Sequence, residues 1–415
     1  MRSLGLALAM VTAACSFTGL QDPGPTIDGP GPADAGPDAI TDGPPGDAPA
    51  TCMLWLPVPH HFHPCEIPAA GAPWIVPSGV HTYDTATDLY DGAPLTDDVG
   101  AGSSTVIDQN GVPARLVSVS RFVVQAGGTL QVTGDKPLIV ASWEEILIQG
   151  TLDAGSNSER TGAGADPSSC LAATPGTGAD SGGGSGGGGG GGFQGSGGLG
   201  GIGDTAPTQA PGGPGGGPVA PPMIVRGGCS GAASGTAGAF FPGNPNAIST
   251  GGAGGGGIQL TAQDAIHVYG GGTVLAGGAG GGGSPSQSAC GGGGGGSGGY
   301  LGFESLIVNI DGTVLANGGG GGSSQVSSGG AGDPGEDAHT DDDQRAIGGP
   351  GDSCGPPGAL GSGLGVIGGD PGTNAGGTFG CGGGGGGGAA GFVMAWSAGY
   401  SQTGALISPA ATVNP

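Results

Sequence analysis

One short pattern recurs along the chain and limits what it can fold into. An apolar run is followed, twelve to fourteen residues after its start, by Gly-Thr-Leu or Gly-Thr-Val. The clear copies run from Leu116 to Leu130, Leu138 to Leu152, Ile258 to Val274 and Tyr300 to Val314; a degraded copy runs from Phe392 to Leu406. The motif glycines are Gly128, Gly150, Gly272, Gly312 and Gly404. Repetition of this kind marks units that bury their apolar faces only by stacking on one another. Within each unit apolar and polar residues alternate, as in Glu145-Ile146-Leu147-Ile148-Gln149. That period of two, rich in β-branched residues, is the strand signal. The expected fold is all-β: a right-handed parallel β-helix in which Leu130, Leu152, Val314 and Leu406 form one ladder. The alternative is an antiparallel sandwich with glycine-rich hairpins, which does not call for equal spacing across copies.

Glycine (108 residues) and proline (35) dominate the composition. The glycine gathers in tracts: Gly182–Gly192, Gly251–Gly257, Gly291–Gly296, Gly318–Gly322 and Gly382–Gly388. Ordering glycine costs more backbone entropy than ordering any other residue. The tracts are therefore expected as long loops or as extended rungs packed together, with residues 156–256 the least ordered. No helix follows any tract, so they do not form a phosphate-binding fingerprint.

The chain divides into an expected signal segment (1–15), a tether (16–50), an N-terminal cap (51–115) and glycine-rich β-helix repeats (116–415). Arg2, the apolar stretch Leu4–Val11 and Thr12-Ala13-Ala14-Cys15 have the layout of a secretory signal. They are similar to the bacterial lipoprotein signal, which implies lipidation at Cys15. Thr12 departs from the usual leucine, which leaves ordinary cleavage near Ala13 or Ala14, and a secreted protein, as the alternative. Ser16 after the cysteine points, by the same resemblance, to the outer membrane. Residues 16–50 are built mainly of Pro, Gly, Asp and Ala, with almost no bulky apolar side chain and no basic residue. Such a stretch buries too little to fold and acts as a semi-stiff disordered spacer.

Eight cysteines suit an oxidising compartment. The expected bridges are Cys52–Cys65, Cys170–Cys229 and Cys354–Cys381, with Cys290–Cys381 as a competitor. If Cys15 carries lipid, one thiol stays unpaired. His60, His61 and His63 beside Cys65 suit a transition metal in type. Their spacing gives no shared aim, so they are read as solvent-exposed.

The charge balance is 32 acidic against 7 basic residues. So few basic residues exclude a phosphate-binding surface, and with it nucleic acid. Acidic polysaccharides would be repelled too. A lyase site with an arginine base would have to draw on Arg115, Arg121, Arg160, Arg226 and Arg345, which are scattered. A glycosidase needs two carboxylates roughly 5–10 Å apart. Glu144, Glu145, Asp153, Asp264, Glu304 and Asp311 are available, but none pairs on one ladder, and they are read as solvent-facing. The acidic knot Asp333, Glu336, Asp337, Asp341, Asp342 and Asp343 is the sharpest local feature. Calcium takes six to eight oxygens, which such a loop can supply; a solvated loop is the alternative. Thr129, Thr151, Thr273 and Thr313 form a column that strand propensity explains.

The tether followed by Cys52 and Cys65, Pro137-Leu138-Ile139-Val140-Ala141-Ser142-Trp143, Val225-Arg226-Gly227-Gly228-Cys229, and the blocks GGGGGGSGGYLGFES and GTVLANGGGGG resembles uncharacterised glycine-rich cell-envelope lipoproteins of myxobacteria-like bacteria. The resemblance covers nearly all of the chain after the signal and implies a cell-envelope location and no known activity. The expected function is a non-enzymatic structural or adhesive surface protein. Its partners would be the membrane, through the lipid, and neutral surface glycans or envelope proteins. It needs no cofactor beyond possible calcium. A carbohydrate-active enzyme on the same scaffold and a calcium-dependent envelope protein are the alternatives.

Overall fold

The computed structural model describes residues 55, 58–65, 67–95, 103–203, 209–237, 247–286, 288–324, 330–351, 355–376 and 380–414. All lie in one compact unit spanning Ala48–Pro415. Cys15, the tether, Cys52 and Cys354 lie outside the described residues. The described chain is almost entirely β and extended, with a single short 3₁₀ segment at Ser168–Ala173.

Three sheets carry the strands, and from Val112 onward the chain visits them in rotation. Sheet A holds Val112–Val119, Leu138–Ser142, Gly257–Ala262, Tyr300–Glu304, Phe392–Trp396 and Thr412–Asn414. Sheet B holds Phe122–Val124, Glu145–Ile148, Ala265–Val268, Ile307–Ile310 and Gly399–Gln402. Sheet C holds Gly128–Thr133, Thr151–Asp153, Thr273–Leu275, Thr313–Leu315 and Leu406–Ser408. Each of these strands pairs in parallel with its counterpart in the next copy. The parallel pairing begins before the first repeat copy, because Trp74–Val76 already pairs with Phe122–Val124 and Gly79–Asp84 with Gly128–Thr133. The antiparallel hairpin Ser103–Gln109/Val112–Val119 closes the other side of sheet A.

The alternation dictates the packing. Leu130, Leu152, Val274 and Val314 from sheet C meet Ile146, Ile266 and Val308 from sheet B and Val140, Leu260 and Phe303 from sheet A in one buried cluster. Burying side chains of this size contributes about 1.5–3 kcal/mol each. The threonine column holds its register: Thr129, Thr151, Thr273 and Thr313 stand side by side on the outer face of sheet C. Four of the five motif glycines, Gly128, Gly150, Gly272 and Gly312, are required by close approach, while Gly404 has a positive φ of 70° and open space beside it. A Cβ on Gly150 would lie 2.2 Å from the Gly128 carbonyl oxygen, and one on Gly312 would lie 2.2 Å from that of Gly272. The last copy slips by one residue: Leu406 pairs with Thr313, and Ile407, not Leu406, continues the inner ladder opposite Val314. A one-residue slip exchanges faces because the side-chain period is two.

Among the described residues the glycine tracts are extended rungs packed together, one of the two expected forms, rather than long loops. In the 156–256 stretch this corrects the expectation of least order for the described residues 156–203, 209–237 and 247–256. Residues 184–192, 290–299 and 381–391 are buried throughout. Their backbone amides bond with a period of three. Gly187 and Gly190 donate to Gly201 and Gly198; Gly188 and Gly191 donate to Gly292 and Gly295; Gly189 and Gly192 donate to Gly176 and Ala173. Three residues per turn without internal hydrogen bonds is the geometry of the polyproline-II helix. Segment 184–193 is ringed by 173–179, 196–203, 210–219, 230–235, 289–298 and 383–389, a hexagonal arrangement of rods. Segments 289–299 and 381–391 are ringed in the same way.

The sequence makes this packing available because the middle of a rod enclosed on every side has no room for a side chain, and the non-glycine residues fall toward the rod ends. A Cβ on Gly188, Gly294 or Gly385 would sit 2.0, 2.0 or 1.9 Å from a neighbouring carbonyl oxygen. Peripheral rods relax the demand at every third position. In 209–217, Ala210, Gly213 and Gly216 are buried while Pro211 and Pro214 are exposed. Every rod leaves the sheets after a sheet C strand and returns before a sheet A strand, so the bundle grows from one corner. Backbone bonds between successive turns carry the ladder across that corner: Ala154 N–H donates to the Leu275 carbonyl, Ala276 to Leu315 and Ala316 to Ser408.

Candidate functional site

The outer face of sheet A carries the chain's densest polar and aromatic grouping. Register places Gln259 beside Gly302 and Met394, and Thr261 beside Glu304 and Trp396. Residues 58–65 cross this face as a strap. His60 N–H donates to Glu304 Oε1 at 3.0 Å, and His60 Nδ1 makes a second, short contact with the same oxygen. Thr261 Oγ1 donates to Glu304 Oε2 at 3.4 Å. The Glu304 side chain is fully buried and that of His60 is half exposed. Burial pushes the Glu304 carboxyl above its usual range, and His60 opposes the shift without cancelling it.

A second branch runs from His61. Its Nε2 lies 3.2 Å from the Tyr300 hydroxyl, which donates to Gln259 Oε1 at 3.2 Å; Gln259 Nε2 donates to Thr261 Oγ1 at 3.2 Å. Gly302 leaves the space for this chain, since a Cβ there would lie 1.8 Å from Gln259 Oε1. Burial, then the neighbouring His60, lowers the His61 pKa from 6.5 to about 4. The strap is held laterally by rings. His60 stacks on Trp396 at 5.2 Å, and Trp55 packs edge-on against Phe62 at 5.7 Å and Trp143 at 4.8 Å. The arrangement is a clasp: a buried carboxylate and a chain of neutral hydrogen bonds fasten the strap to strands more than two hundred residues away.

Two readings from sequence are corrected here. His61 is buried rather than solvent-exposed, and Glu304 faces the strap rather than solvent. In both cases the cause is the strap crossing sheet A, a contact 244 residues apart along the chain for His60 and Glu304. Gln259, Tyr300 and Trp396 were not singled out, because the alternation alone does not say that this outer face is covered. The other carboxylates go separate ways: Glu145 pairs with Arg121, and Asp153 with Arg160. Arg115 pairs with Asp88 at 3.5 Å, Arg345 with Asp370 at 2.8 Å, and Arg226 lies over the Phe193 ring at 4.8 Å.

The acidic knot is split by its hydrogen bonds. Asp337 accepts from Gly280 N–H at 2.9 Å, and Glu336 from Ile347 N–H at 3.0 Å. Asp333 is held through its main chain by Ser323, and Asp343 through its carbonyl by Leu364. His339, Asp341 and Asp342 have ligand atoms within 4.8 Å of one another. One imidazole and two carboxylates on a largely exposed turn fall well short of calcium's six to eight oxygens.

Cys170 and Cys229 form a disulfide with a Cα–Cα distance of 5.9 Å, as expected from sequence. Cys65 and Cys381 are also disulfide-bonded, and their expected partners lie outside the described residues. Cys290 is a free, buried thiol, so it does not bond Cys381. Such bridges fit an oxidising compartment. Among the described residues, no helix is long and apolar enough to cross a membrane. Comparison of the chain with protein-family models, curated proteins and solved structures gives no match.

Proposed function

We propose that this chain is a non-enzymatic structural and adhesive protein of a bacterial cell envelope. Its three sheets wind as a right-handed parallel β-helix, the hand that parallel crossovers adopt almost without exception. Cys15 carries the lipid that anchors it to the outer membrane, and residues 16–50 hold the folded unit away from the surface.

The observation that carries this reading is the glycine bundle. Long stretches of chain are spent on rods whose amides bond their neighbours in three directions, with no side chain at the central glycines and only small buried ones such as Ser185 and Ser297 toward the rod ends. Such a close-packed block suits a fixed surface, as a spacer or adhesive scaffold requires. The outer ladders support the adhesive part. Thr129, Thr151, Thr273 and Thr313 repeat at strand spacing, about 4.8 Å, in a neutral row. A repeating neutral polymer is matched by such a row, whereas polyanions are repelled by a net charge of −25.

The test is co-sedimentation of the full chain with insoluble neutral polysaccharides and isolated envelopes, with and without calcium, scoring new reducing ends in the same tubes. Binding without release is the expected result. Sustained, heat-labile release of reducing ends would overturn the non-enzymatic reading.

A further inference from the structure

A cavity of about 350 Å³ lies beside the clasp, between the strap, the turn of the hairpin at Asp108–Asn110 and Met223–Ile224. The volume falls in the range of small-ligand sites, about 300–1,000 Å³. Two of its lining residues, His61 and Gln109, are 9% and 6% exposed, and each has a buried polar atom without a partner: His61 Nδ1 and Gln109 Nε2. Buried polar atoms are nearly always satisfied, so two around one cavity need an explanation.

Their chemistry is set by their other bonds. The Tyr300 hydroxyl gives its proton to Gln259, so its oxygen receives the proton of His61 Nε2. That leaves Nδ1 as a lone-pair acceptor. Gln109 Oε1 accepts from Val225 N–H at 2.9 Å, which orients the amide and leaves Nε2 as a donor. One acceptor and one donor are what a pair of hydroxyls satisfies. Phe62 and Met223, the latter 90% exposed, supply apolar surface at the same cavity. Exposed Asp108 at the rim disfavours an anion. A metal is disfavoured because His60 Nδ1 is taken by Glu304 and His63 Nδ1 by Cys65 N–H.

We propose that this cavity holds one neutral sugar residue, whose hydroxyls donate to His61 Nδ1 and accept from Gln109 Nε2 while its C–H face lies on Phe62 and Met223. The assignment rests on the adhesive reading and gives it a specific contact point.

The experiment uses the full chain with ¹³C-methyl methionine. Glucose, galactose, N-acetylglucosamine and galacturonate are titrated to about 10 mM, ten times a millimolar Kd. The exposed Met223 methyl is the reporter and the buried Met394 methyl is the internal reference. A saturable Met223 shift is expected with at least one neutral sugar and not with galacturonate. Gln109→Glu keeps an oxygen for Val225 but removes the donor, and is expected to weaken binding at least tenfold. Met223→Ala, at a position too exposed to affect folding, is expected to weaken it severalfold when followed by calorimetry. The proposal is overturned if no neutral sugar moves Met223, if galacturonate moves it equally, or if both variants bind like the wild type. Envelope co-sedimentation separates the two ideas. Sedimentation without sugar binding removes the cavity assignment and leaves the adhesive reading; sugar binding without sedimentation does the reverse.

Discussion

Adding a single methyl group inside the glycine bundle should destabilise it strongly, while the same methyl at its edge should be neutral or slightly stabilising. Gly294→Ala would place Cβ 2.0 Å from the Gly189 carbonyl oxygen and 2.4 Å from its carbon. Ordinary contact begins near 3.4 Å, so the rods must separate by more than 1 Å. Three backbone bonds join them, Ser185 to Ala289 at 3.1 Å, Gly188 to Gly292 at 2.9 Å and Gly191 to Gly295 at 2.9 Å, beside the Gly291 N–H donated to Ser185 Oγ. Separation by that distance takes all three beyond hydrogen-bonding range. A buried group left unsatisfied costs about 1–3 kcal/mol, so the loss is roughly 3–9 kcal/mol, against a typical total stability of about 5–15 kcal/mol. Gly182 has no atom within 4 Å of its added Cβ. Gly182→Ala should therefore be neutral, or stabilising by about 0.4–1 kcal/mol through the unfolded chain. Urea denaturation followed by circular dichroism, with soluble yield as a second readout, compares the two. A Gly294→Ala protein within about 1 kcal/mol of wild type would refute the close-packed bundle.

Two further outcomes follow from the clasp and the bridge. The His61 pKa is lowered to about 4 from 6.5, so between these pH values the unfolded chain takes up a proton that the folded chain refuses. Stability from this site is thus present above pH 6.5 and falls by about 3 kcal/mol as pH drops to 4. Glu304, with a raised pKa, acts in the opposite sense: its contribution is present at low pH and is lost as pH rises through its folded value. The His61 effect is isolated by comparing the pH dependence of unfolding in wild type and His61→Gln; identical slopes below pH 6.5 would contradict it. Replacing both Cys170 and Cys229 by alanine opens a link of sequence separation 59, which loop-closure arguments value at about 4 kcal/mol. An unchanged melting temperature would show that the bundle already constrains that segment.

The strands were legible because each repeat carries its own alternation, and the Gly-Thr motif marks the corner where glycine carbonyls stack. The threonine column could be placed for the same local reasons, and the Cys170–Cys229 bridge by the gain from closing a long glycine-rich excursion. The bundle was not legible where it matters most. Its period is three, but residues 186–192 are all glycine, and a uniform tract cannot display a period. The signal survives only at the periphery, in the spacing of Pro211 and Pro214 and of Leu199 and Ile202. The clasp left no local trace, since His60 and Glu304 meet across 244 residues. Leu406 was assigned to the wrong face because the turn before it gained one residue, a change that alternation does not reveal.

Amide hydrogen exchange on the full chain tests the bundle most directly. Gly188, Gly191, Gly292 and Gly295 donate or accept the bonds that join two central rods. The expected result is protection of the 184–192 and 290–299 amides comparable to that of Val140 and Ile266 in the sheets, with both exchanging only through large-scale opening. Exchange of the glycine amides at free-peptide rates, while the sheet amides stay protected, would contradict a hydrogen-bonded glycine core.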